Sequence, residues 1–187
     1  MSARFAILCG ALIVLAAIAS GAAYVVASPR VITAALERRM TNCPTPADRC
    51  APPGVFQHKR ALASPADRLV VNPNADTVYS SAWLDLRKGP WVLRVPDMGK
   101  RYFSFQLMDA WTDVLAYISR RTGDSKGGDF LIAGPDWYGA PPQNMRVLRA
   151  STNDVWIIAR TLVDDEGDLK QVSALQDQFA LRPYAGN

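Results

Sequence analysis

The chain has 187 residues, enough for one domain and an additional segment. Apolar residues make up 49% and the formal net charge is +4, spread along the chain. A nucleic-acid binder would gather its basic residues into a stripe. None is visible, and the Lys59-Arg60 and Arg120-Arg121 pairs read as isolated solvated charges.

The first element is the uncharged run over residues 5–27. At ~1.5 Å per residue it reaches about 34 Å, enough for a hydrocarbon core of ~30 Å. A cleaved signal peptide is the competing reading, and its apolar stretch would be about 7–15 residues. Ala17-Ile18-Ala19 before Ser20 is an acceptable cleavage site, but the run continues through Tyr24, Val25 and Val26. An uncleaved signal anchor, a single transmembrane helix with the membrane as partner of residues 5–27, is therefore preferred. Cys9 lies too early for lipid attachment and follows Leu8, which is not small.

Two signals disagree on orientation. Arg30, Arg38 and Arg39 follow the run, against Arg4 and the amino terminus before it. A positive-inside count places the domain in the cytoplasm. Cys43 and Cys50, however, enclose a short Pro-containing loop. Zinc would need two more ligands, and His58 is the only histidine. A local disulfide is the simpler reading, two free thiols the alternative, and a disulfide needs an oxidising compartment. The domain is accordingly expected in the periplasm.

Pro29 can open a new helical turn, and residues 31–40 read as a short separate helix. Residues 41–66 form a Pro-rich linker. Pro-Ala-Asp-Arg occurs at 46–49 and again at 65–68, preceded by Thr45 and Ser64, which suggests two capped turns and not a repeat architecture. The division is then anchor and short helix at 1–40, linker at 41–66 and globular domain at 67–187.

The globular part reads as short strands. Over 77–86, Val78, Ala82, Leu84 and Leu86 share one face and Tyr79, Trp83 and Asp85 the other, the period-two pattern of a half-buried strand. Further strands are expected at 90–95, 101–108, 114–119, 130–133, 145–149 and 155–163, with turns at Gly89-Pro90 and at 96–99. This predicts a mainly β fold, an antiparallel β-sandwich or barrel. At the end, Leu169, Val172, Leu175 and Phe179 make a helical stripe over 168–179, with Asp168 as a natural N-cap.

Ordered blocks within this domain are distinctive: Asn72-Pro73-Asn74-Ala75-Asp76-Thr77-Val78-Tyr79-Ser80-Ser81, then Trp83-Leu84-Asp85-Leu86, then Gly89-Pro90 and Val95-Pro96. Arg101-Tyr102-Phe103-Ser104-Phe105-Gln106-Leu107-Met108-Asp109, the segment from Val155 to Asp164, and Leu175-Gln176-Asp177-Gln178 come after them. Over residues 69–181 the chain resembles the bacterial family catalogued as Domain of Unknown Function 1254. The resemblance implies an antiparallel β-sandwich. It also implies that larger members carry a companion, Domain of Unknown Function 1214, after this one. This chain looks like the short, membrane-anchored form, single-pass in the bacterial inner membrane, with the companion as a separate polypeptide.

Gly123-Asp124-Ser125-Lys126-Gly127 matches the G-x-S-x-G elbow, but a strand-like segment comes next and the only histidine lies upstream, so a hairpin loop is expected. The alternation of Asp164, Glu166 and Asp168 fails as a calcium loop, with Leu175 at its twelfth position. No cofactor, metal site or catalytic residue is assignable. The best ligand-binding candidates are Asn72, Asn74, Asp76 and Tyr79, with Trp83, Tyr102, Trp111, Asp109 and Arg160. Asn, Pro and Asp before a strand equally serve as turn formers. Arg160 is expected to pair with Asp76 or Asp109 as a structural bridge, or to take a ligand carboxylate. The expected role is a binding or assembly module acting with a companion-domain protein. The alternative is a small-molecule-binding or hydrolytic enzyme with an Asp/Tyr/Arg pocket.

Overall fold

The structure, a computed structural model, describes residues 3–43, 50–64 and 74–186. Both Pro-Ala-Asp-Arg segments lie largely or wholly outside the described residues, as do Asn72 and Pro73.

Helix α1 spans Ala3–Thr41 without interruption and contains Pro29. The expected break is absent for a local reason. Proline has no N–H to give the carbonyl one turn back, and the Ser28 hydroxyl donates to that carbonyl, Val25 O, at 3.3 Å. The stretch from Ile7 onward is long and apolar enough to cross a membrane. Beyond it, Cys43 and Cys50 are joined by a disulfide.

Nine short strands build two sheets among the described residues. Strands β1 (Gln57–His58), β2 (Thr77–Asp85), β4 (Phe103–Met108), β5 (Val114–Ser119) and β8 (Asp154–Leu162) form one, in the order β1-β2-β8-β4-β5. Strands β3 (Trp91–Val95), β6 (Gly128–Ala133), β7 (Arg146–Arg149) and β9 (Ala180–Pro183) form the other, in the order β7-β6-β3-β9. All pairs are antiparallel except β6 with β7. Two strands, β1 and β9, carry no period-two signal of their own because each is too short for one.

The inward residues of the two sheets make one core. Leu84, Phe105, Leu107 and Ile157 pack with Leu93, Phe130, Ile132 and Phe179. Helix α2 (Leu169–Gln176) closes one end, with Val172 against Val78 and Val163. The helix is shorter than its hydrophobic stripe because Phe179 turns into the core and Ala180 begins β9. Asp168 makes no side-chain cap. Its carboxylate instead receives both Arg101 guanidinium nitrogens and the Asp164 amide.

Residues 123–127 are a connection between the two sheets rather than a hairpin, since β5 and β6 are not paired. Gly127 is required there. Its φ is +66°, and an added Cβ would lie 2.2 Å from the Val95 and Pro96 carbonyl oxygens.

Candidate functional site

The outer face of the five-stranded sheet is where side chains with chemistry collect. Pairing aligns Tyr79 with Arg160, Arg160 with Ser104, and Ser104 with Ser119, one row crossing β2, β8, β4 and β5. Ser81, Ile158, Gln106 and Tyr117 make the next row, and Trp83, Trp156 and Met108 the one after. Directly opposed residues of an antiparallel sheet share a face, so these rows are neighbours on one surface.

The two ends of that face differ. At the Trp83 end it is covered. Met40 of α1 lines a small pocket with Ser81 and Trp83, the Gly54 amide donates to Trp83 O at 2.7 Å, and the Trp83 and Trp156 rings stack 5.1 Å apart. Arg30 of α1 pairs with Asp154 at 3.5 Å and lies 5.7 Å from the Trp111 ring centre. The Arg160 end is open. A cleft of about 400 Å³ is lined there by Arg160, Arg120, Arg121, Tyr102, Tyr117 and the Ser104–Ser119 row. It adjoins a shallower basin edged by Lys100 and Leu162.

The walls are held by short-range bonds. Ser119 caps the 3-10 turn Arg120–Thr122, with the Ser119 and Thr122 side chains each bonded to the other's backbone. The Thr122 hydroxyl donates to Asp124 at 2.6 Å, and Asp124 pairs with Arg146 at 3.2 Å. Arg120 donates to Lys100 O at 2.9 Å. Arg160 lies over the Tyr79 ring, 5.4 Å from its centre, a cation–π distance. Among the described residues neither Arg121 nor Arg160 has a carboxylate partner. No carboxylate among the described residues lines the cleft or the basin.

The expected site residues therefore separate. Tyr102 and Arg160 line the cleft, with Tyr79 beneath the guanidinium. Asn74 forms an Asx-turn, its side chain accepting from the Asp76 and Thr77 amides at 2.9 and 3.2 Å, and Asp76 is exposed. Trp83 is buried under the α1 end of the face. Asp109 sits at the opposite end, where it accepts from the Trp111 and Asp113 amides at 2.8 and 3.0 Å and from the Ser151 hydroxyl. The Arg160 bridge to Asp76 or Asp109 is absent, because Asp109 is several rows away and already satisfied by local donors. Arg120 and Arg121, expected as isolated solvated charges, are exposed and also line the cleft. The signal for them lay in the outward parity of Tyr102, Ser104 and Tyr117.

The single histidine is not at the cleft. His58 is stacked on Phe56, and its Nδ1 lies 2.8 Å from Ser80 Oγ, which also accepts from Gln176 Nε2 at 3.0 Å. Burial, reinforced by the nearby Arg60 cation, lowers its pKa to about 4. Ser80 is only 1% exposed, so this pair is core structure and not a nucleophile with its base.

Residues 53–183 match the family described as "Protein of unknown function (DUF1254)". The chain belongs to this family. The DUF1254 domain is also similar in structure to the VPA0106 protein from Vibrio parahaemolyticus, with a TM-score of 0.71 and 27% identity over 87% of this chain. An uncharacterised protein from Burkholderia cenocepacia aligns with a TM-score of 0.39 and 16% identity over 67% of this chain. The chain spans about a third of each of these structures, 37% and 34% of their lengths. No curated protein matches the chain.

Proposed function

We propose that this DUF1254 chain is a membrane-tethered binding module that takes a small organic anion in the Arg160 cleft. The observation that carries this reading is a cleft of about 400 Å³ whose walls, among the described residues, hold three arginines, two tyrosines and no carboxylate. Guanidinium groups with no carboxylate partner among the described residues, set beside tyrosine rings, favour a carboxylate or phosphate through charge-assisted, bidentate bonds. The tyrosine rings suit an aromatic or apolar body on the same ligand. Hydrolysis is the weaker reading, since Asp76 and Asp109 are not among the lining residues and the histidine lies on β1, away from the cleft.

The test is thermal unfolding of the detergent-solubilised chain with benzoate, phenyl phosphate and inorganic phosphate. A ligand that binds only the folded state raises the melting temperature with concentration, by about 2.7 kcal/mol of stabilisation at a hundredfold excess over Kd. The aromatic anions are expected to do so in wild type and not in Arg160→Ala. No shift with any probe, or equal shifts in both proteins, would overturn the reading.

A second reading, assembly with a companion-domain protein, is supported by the greater length of the chains that share the fold. It expects co-purification of such a partner after mild solubilisation, and a lone monomer counts against it. For the compartment we propose the periplasmic side of a bacterial inner membrane. The Cys43–Cys50 disulfide supports this, because that bond persists in an oxidising space. Alkylation of both thiols in intact cells without reductant would count against it.

A further inference from the structure

Trp111 is 40% exposed on the turn between β4 and β5, and Val114 beside it is 47% exposed. Large apolar side chains on a turn tip are ordinary when the turn is loose, but this one is built. Asp109, 5% exposed, gathers the Trp111 and Asp113 amides and the Ser151 hydroxyl. The Asp109 amide donates to Asp113 O at 3.0 Å. Thr112 is held at a φ of +70°, a left-handed conformation that a β-branched residue adopts only under constraint.

Its position relative to α1 gives the turn a partner. The uncharged run ends at Ala27, and Arg30 comes three residues later, about 4.5 Å further along the helix axis. Arg30 is tied to Asp154 and its guanidinium lies 5.7 Å from the Trp111 ring centre. The headgroup layer outside the hydrocarbon core is itself roughly 5–7 Å deep on each side. Tryptophan concentrates in that layer, where its ring has an apolar body and a polar N–H.

We infer that the 109–114 turn is a second membrane contact, with Trp111 and Val114 seated in the headgroup layer of the bilayer that α1 crosses. This rests on α1 being the membrane span. The seat is aromatic and apolar, since Asp113 is the turn's exposed charge. Its strength is accordingly insensitive to salt, unlike attraction to anionic lipid. The contact holds the domain against the membrane surface by its Trp111 corner.

The full chain reconstituted in phosphatidylcholine vesicles, with lipids brominated high on the acyl chain, reads this directly. Bromine quenches nearby tryptophan emission, and the quenching seen in wild type is expected to drop in Trp111→Phe, equally at low and high salt. A membrane-impermeant maleimide applied to the same vesicles reports the anchor through Cys9, which lies within the apolar run. Cys9 protected with undiminished quenching in Trp111→Phe overturns the Trp111 seat alone. Cys9 labelled in intact vesicles overturns the anchor, and this contact with it.

Discussion

The Arg160 guanidinium lies 5.4 Å above the centre of the Tyr79 ring, and the two residues face each other directly across β8 and β2. Among the described residues, this half-buried arginine has an aromatic floor and no carboxylate partner, so it is held in place without being neutralised. On the proposed reading, its positive charge is what an anionic ligand would meet.

Arg160→Ala should therefore cost little in stability, about 0.5–1 kcal/mol for the lost cation–π contact, while removing the response to aromatic anions. Arg160→Lys keeps the charge but loses the planar fork, and should retain only part of that response. Urea unfolding with and without benzoate separates the two effects. A loss of several kcal/mol without ligand would mean that Arg160 is structural.

His58 makes stability fall on mild acidification. Its folded pKa, lowered to about 4, lies below the usual value of 6.5. The unfolded chain then takes up a proton that the folded one refuses. The contribution is complete above pH 6.5 and is lost as pH falls toward 4. It amounts to about 2 kcal/mol after allowance for partial exposure. His58→Gln should flatten this part of the stability curve, read by urea midpoints at pH 7 and pH 4.5. An unchanged slope would show that other groups carry it.

Breaking the Arg101–Asp168 pair should be the most damaging charge change. The two side chains are 15% and 10% exposed, and Arg101 also donates to Leu162 O at 2.9 Å. The Arg101 bonds hold the Asp168 carboxyl below its usual range, so this stabilisation is present at neutral pH and lost as pH falls through the acid region. Asp168→Asn should cost about 3 kcal/mol and loosen the start of α2. Chemical denaturation checks the first effect and amide exchange over residues 164–172 the second.

Asp109→Ala should cost about 2 kcal/mol, because it removes the acceptor of two amides and a hydroxyl. Exchange of the Trp111 and Asp113 amides should accelerate while the β2–β8 ladder stays protected. Unchanged exchange at those two amides would show that the turn is held by its backbone bonds alone.

The sandwich was legible wherever a strand is long and has one dry face. Over 77–86 the alternation of Val78, Ala82 and Leu84 against Tyr79 predicts the observed β2, and the C-terminal Leu169 and Val172 stripe predicts α2. Trp83 breaks the alternation, being buried on the outer face, and only the packing of α1 and the 51–55 segment explains it. The unbroken helix through Pro29 was not legible, since one serine hydroxyl replaces the missing backbone donor. Nor was the parallel β6–β7 pair, because pairing direction depends on the path of the connecting chain. The cleft was half legible. Tyr102 and Arg160 stood out as residues, but their convergence with Arg120, Arg121 and Tyr117 arises from strand order, which one chain's periodicity does not encode.

The continuity of α1 has a mechanical consequence. A helix interrupted at Pro29 would let the anchor lean without disturbing the sandwich beyond it. An unbroken one is a lever arm, tied to the sheet by the Arg30–Asp154 pair. If α1 spans a bilayer as proposed, a thinner or thicker one changes the tilt of the apolar segment, and that change would be passed to the sandwich as a rotation. On that proposal, lipid thickness would set the angle at which the basic cleft meets the surrounding solution.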